Sequence, residues 1–99
     1  MKYTEKDVND DFDYLARKCG KFYNTLLALS LNEDEFKENI EHSMKYFLEL
    51  ADCFKSLETK YAPYFPELSE NKFYVSCDKE LENVFVLFRI SGVEFEFNE

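Results

Sequence analysis

Glycine and proline are nearly missing, with two of each, tryptophan is absent and histidine occurs once. Glycine at positions 20 and 92 alone cannot build the GxxxxGK or GxGxxG loops that cradle phosphates in backbone N–H groups, which excludes nucleotide hydrolysis and dinucleotide cofactors. A metal site fares no better. His42 and the three scattered cysteines, Cys19, Cys53 and Cys77, form no CxxC or HExxH, and the carboxylates follow no EF-hand spacing. The odd cysteine count at long intervals reads as three reduced thiols, core-filling or half-buried, in a cytoplasmic setting. No stretch approaches the ~18 consecutive apolar residues of a membrane span, and the first twenty residues lack a signal-peptide core. The sequence therefore predicts a soluble cytoplasmic protein.

Positive charge is also in short supply. Twelve Lys and Arg stand against 21 Asp and Glu, a formal net charge of −9, so the mean field repels phosphate backbones and anionic lipid headgroups. Direct binding to nucleic acid or to membranes is not expected. What the chain has in quantity is apolar bulk. Eleven Phe and seven Tyr within a 45% hydrophobic composition are too much for a disordered segment, and 99 residues suit one domain, 1–99, with one core.

Val8, Phe12, Leu15, Cys19, Phe22, Leu26 and Leu29 recur in steps of four and three, the mark of one helix stripe. Thr4 with Asp7 approximates a capping box and sets the start near residue 5, and the helix is expected to continue through Gly20. A second stripe, Phe36, Ile40, Ser43, Phe47, Leu50, Phe54, Leu57 and Tyr61, follows Asn32 as N-cap and ends ahead of Pro63. The short link at Ser30 to Asn32 forces an antiparallel helical hairpin over 5–61.

Residues 62–72 hold both prolines and read as a loop. Beyond them FYVSCD, VFVLFRI and VEFEF are rich in aromatic and β-branched residues. With KELEN at 79–83 as one turn and Ser91-Gly92 as a two-residue hairpin, the segment 73–98 predicts a three-stranded antiparallel meander. In that register Val84, Val86, Phe88, Ile90, Val93, Phe95 and Phe97 face the helices, while Phe85, Leu87, Arg89, Glu94 and Glu96 face away. The expected fold class is α+β, an ααβββ arrangement in two layers.

Catalytic equipment is thin. A serine or cysteine nucleophile needs a base, and His42 lies close to no cysteine or glycine-rich elbow, so it reads as a solvated bystander in a protein that is not an enzyme. Function then falls to surfaces. Asp34, Glu38, Glu41, Glu49 and Asp52 project within one arc opposite the apolar stripe of the second helix, an acidic ridge extending ~27 Å. A row of carboxylates at this spacing stands in for phosphates. The competing account is a solvated face whose first-turn acids serve the helix dipole, with Lys45 interrupting the row and Glu33–Lys37 and Glu41–Lys45 pairs neutralising part of it. A second surface is the outer sheet face, where Tyr74, Phe85 and Leu87, rimmed by Arg89, Glu94 and Glu96, form a contact patch for a partner or a second copy of the chain. Its alternative is that Tyr64 and Phe65, or the Tyr3 segment, fold over it.

In size and charge alone the chain resembles small acidic inhibitor proteins, including phage-encoded inhibitors of CRISPR or restriction nucleases, some of which imitate DNA, and toxin-immunity proteins. That likeness is one of composition. It implies a binding protein, with no cofactor, that occupies a basic surface of a partner such as a nucleic-acid-processing enzyme, with Asp34, Glu38, Glu41 and Asp52 as the contact residues. The rival expectation is a structural or adaptor domain that dimerises through the outer sheet face.

Overall fold

A computed structural model describes residues 2–93, and among them there are three long helices and no strand. Helix α1 spans Glu5–Ser30, α2 Glu33–Tyr61 and α3 Lys72–Ile90, with a single 3-10 turn, Leu68–Glu70, ahead of α3. The helical hairpin matches the sequence reading. The Asp7 N–H donates to Thr4 Oγ1 at 3.2 Å and the Thr4 N–H to Asp7 Oδ2 at 2.8 Å, completing the capping box. The Glu35 N–H donates to Asn32 Oδ1 at 3.1 Å, and α1 runs unbroken through Gly20. Ring contacts from Phe12 to Phe54 and from Phe22 to Tyr46 place the start of α1 beside the end of α2, the antiparallel pairing that the short link requires.

The predicted sheet does not form. Residues 73–77, 79–83 and 84–90, read as strand, turn and strand, make up one continuous helix, so the ααβββ, α+β expectation gives way to an all-helical three-helix fold. The physical reason is legible afterwards. Phe73, Cys77, Leu81, Val84 and Phe88 step by four, four, three and four, the same rule that defines α1 and α2, and the last four are buried. Lys79 to Asn83 contains no glycine or proline and is dominated by good helix formers, so nothing halts the helix there. Burial along this stripe overrides the local β preference of Val84, Phe85, Val86 and Ile90. Asn71 caps the start, its Oδ1 accepting from the N–H groups of Phe73 at 2.9 Å and Tyr74 at 3.1 Å.

Gly92 is a helix terminator rather than a hairpin residue. It has φ +85°, its N–H reaches the Arg89 carbonyl at 3.0 Å, and the Val93 N–H reaches the Phe88 carbonyl at 2.9 Å, the paired bonds of a Schellman end. Val93 packs back onto the core, as such an end favours. The inferred third strand, including Glu94, Phe95, Glu96 and Phe97, lies outside the described residues apart from Val93.

Helix α3 runs parallel to α1, in the order set by Asn71 bonding Asn9 at 2.7 Å, Phe12 against Tyr74 at 5.3 Å and Phe22 near Phe88 at 6.4 Å. Cys19 and Cys77 meet fully buried at this seam, while Cys53 is exposed on α2. The hydrogen bond to Cys19, and then burial, push the Cys77 thiol up, the signature of an unreactive core thiol. Large rings fill the space between α2 and its neighbours: Phe54 lies 5.0 Å from Tyr74, and Phe47 lies 5.7 Å from Phe88. These rings are tilted against each other at 39° and 58°, and aromatic pairs at such separations contribute about 0.5–1.5 kcal/mol each beyond the area buried.

Two phenols, Tyr61 buried and Tyr74 half-buried, bind carboxylates across helices. Tyr61 donates to Asp11, and Tyr74 donates to Glu58. Burial, then the bond to Asp11, pushes Tyr61 well above the usual tyrosine range, and the bond to Glu58 with burial pushes Tyr74 up to about 12. In the unfolded chain both ionise near about pH 10, so above that pH the unfolded state holds fewer protons than the folded one and stability falls as pH rises. Urea unfolding at about pH 9 and about pH 11 is expected to show a larger loss for the wild type than for a Tyr61→Phe, Tyr74→Phe double variant. Equal losses would remove these two groups as the cause.

Candidate functional site

Helix α2 is the longest element, 29 residues, and it turns its apolar stripe inward along its whole length, with Phe36, Ser43, Phe47, Leu50 and Tyr61 buried. The opposite side is open to solvent from end to end. Asp34, Glu38, Glu41, Glu49 and Asp52 are all exposed there. The ridge that helical geometry predicts is thus present, on the element and the face expected of it.

Its neutralisation is less complete than the i,i+4 rule suggests. Lys37 pairs with Glu33 at 3.1 Å, but no cation lies within 4 Å of Asp34, Glu38, Glu41, Glu49 or Asp52 among the described residues. Glu41 and Lys45 do not pair. Several carboxylates of α1 and of the end of α2 are occupied, Asp10 by Lys6, Asp13 by Arg17, Asp11 by Lys60 and Tyr61, and Glu58 by Tyr74, while Glu67, Glu70, Asp78 and Glu82 near and on α3 pair with no cation among the described residues. The acids of the α2 ridge are therefore available for an external cation, whereas those of α1 are largely engaged within the fold. Lys45 still divides the row, so it is two short acidic tracts, one from Asp34 to Glu41 and one from Glu49 to Asp52, rather than an even imitation of a phosphate backbone.

The second predicted surface is dismantled with the sheet. Tyr74 is half-buried on α3 with its ring against Phe12 and Phe54. Phe85 is half-buried beside Phe47, stacked at 6.4 Å, and Leu87 is buried with 8% of its surface exposed. These three belong to the interior between helices and form no common outward patch. Tyr3 and Phe65 do cover something, but it is Tyr61, with ring centroids 5.1 Å and 6.1 Å from it, and Tyr64 packs on Tyr3 at 5.4 Å. Arg89 is exposed, and Glu94 and Glu96 lie outside the described residues.

One feature escaped the sequence reading. His42, read as a bystander, lies at the lip of a groove of about 450 Å³ between α1 and α2, together with Lys18, Lys21, Phe22, Leu29 and Tyr46. Only the register of the two helices brings these residues together, so no local spacing announces them. Among the described residues, no group of three or more His, Cys, Asp or Glu side chains is arranged to hold a metal ion, and no helix is long and apolar enough to cross a membrane. Compared with protein families, curated proteins and solved structures, the chain matches none.

Proposed function

We propose that the protein acts by contact, placing the acidic face of α2 on a basic surface of a partner protein. The observation that carries this reading is the set of five exposed carboxylates on one helix face, Asp34, Glu38, Glu41, Glu49 and Asp52, none of them engaged by a cation within the described fold. A helix is a stiff ruler, and the stretch of α2 from Asp34 to Asp52 displays its charge over ~27 Å without the ordering cost a loop would incur. A net charge of −9 adds long-range steering toward a cationic target. Lys- and Arg-lined channels of nucleic-acid-processing enzymes have the matching chemistry, and covering one would make the protein an inhibitor.

The reading is tested by affinity capture with the full chain, eluting with a salt gradient and mapping the contact on the retained protein by cross-linking. The expected target is cationic where it touches α2 and is released as the Debye length shrinks from about 10 Å at 0.1 M salt to about 3 Å at 1 M. A contact surface that is neutral or acidic, or a complex indifferent to molar NaCl, would overturn it.

A further inference from the structure

The groove between α1 and α2 breaks the electrostatic pattern of the molecule. In a chain with 21 acidic residues, none of those lining it is Asp or Glu. The cavity at the opposite end, around the 3-10 turn, shows the contrast, since Glu5, Glu67 and Glu70 all contribute to its walls. On the α1–α2 groove the charged groups are Lys18 and Lys21, with the His42 imidazole facing them from α2. Among the described residues no carboxylate lies within 4 Å of either ammonium group. Lys18 instead lies over the face of Tyr14, 4.8 Å from its centroid.

The walls of the groove are mixed, with Phe22, Leu29 and Tyr46 giving an apolar surface and Thr25, Asn39 and Ser43 adding neutral polar groups. Phe22 and Tyr46 meet edge-on at 4.9 Å and Leu29 extends the lining toward the link between the helices. A volume of about 450 Å³ falls within the range of small-molecule sites, roughly 300–1,000 Å³. An aromatic and aliphatic lining under a cationic rim matches one kind of ligand, an apolar body ending in a single anionic head.

We infer that the groove between α1 and α2 binds a small amphipathic carboxylate, its hydrocarbon part lying against Phe22, Leu29 and Tyr46 and its carboxylate held by Lys18 and Lys21, with His42 as a further hydrogen-bonding partner. The site is independent of the acidic ridge. Its sign is informative because an anion is bound here against the mean field of the molecule, so nonspecific attraction cannot account for it.

The test is an NMR titration of the full chain with octanoate, octanol and octylammonium, which share a tail and differ in head charge. Octanoate is expected to shift backbone amides within 18–29 and 39–46 saturably, and to bind about tenfold more tightly than octanol, a difference near 1.4 kcal/mol. Octylammonium should bind more weakly than octanol. In a Lys18→Glu, Lys21→Glu double variant the octanoate preference should vanish while octanol binds as before; both side chains are exposed, so the fold is expected to survive. Equal affinity for octanoate and octanol, preference for octylammonium, shifts centred outside the groove, or an absence of saturable octanoate binding would each overturn the inference.

Discussion

Leu87→Ala is expected to cost about 2–5 kcal/mol, the range for truncating a buried leucine, whereas Val86→Ala costs less than about 1 kcal/mol. Leu87 has 8% of its surface exposed and Val86 has 43%, because consecutive positions on a helix lie 100° apart and only the first points into the bundle. A pleated strand in the register first inferred makes the opposite forecast, with Val86 inward and Leu87 outward. The pair is thus a direct discriminator between helix and sheet at 84–90, and it needs only urea unfolding of two single variants. For a domain of this size each kcal/mol moves the melting temperature by roughly 4–8 °C, so the Leu87 variant should melt at least about 8 °C below the wild type. A larger loss at Val86 than at Leu87 would return the segment to the alternating pleat and remove α3.

The same contrast shows where the sequence is legible. Both stripes of the hairpin were readable because their apolar residues repeat over seven or eight positions with polar residues between them, and because Thr4 and Asn32 supply caps at the correct offsets. Helix α3 was hidden by its last turns. From Val84 to Ile90 six of seven residues are apolar, so a window of that length carries no period of its own, and β-branched and aromatic residues tip the local preference toward strand. The deciding information lay upstream, in Cys77 and Leu81, and in the unbroken run of helix formers from Lys79 to Glu82. Gly92 misled for a related reason: a glycine with positive φ serves a hairpin turn and a helix terminus equally well. The acidic ridge was readable because it depends on one helix alone. The α1–α2 groove was not, because it depends on the register between two.

Reversal of Asp34, Glu38, Glu41 and Asp52 to Lys is expected to weaken the partner complex by more than a hundredfold at low salt. Each exposed contact contributes on the order of 0.2–1 kcal/mol, and reversal replaces attraction with repulsion, so four sites together supply about 3 kcal/mol. Fold stability should change little, since all four are exposed and unpaired; the main penalty is at Asp34, which loses a first-turn helix dipole contact of about 0.3–1 kcal/mol. A matched control separates the ridge from net charge. Glu67, Glu70, Asp78 and Glu82 are equally exposed but sit away from the α2 face, and reversing them changes the total charge of the chain by the same amount. If the ridge is the contact surface, the first variant loses affinity through a slower association and a faster dissociation, while the control loses only part of its long-range steering, seen as a modest fall in association rate that salt abolishes. Equal losses from the two sets would mean that charge acts only as a general field and that α2 carries no special contact. No loss from either would end the electrostatic account altogether.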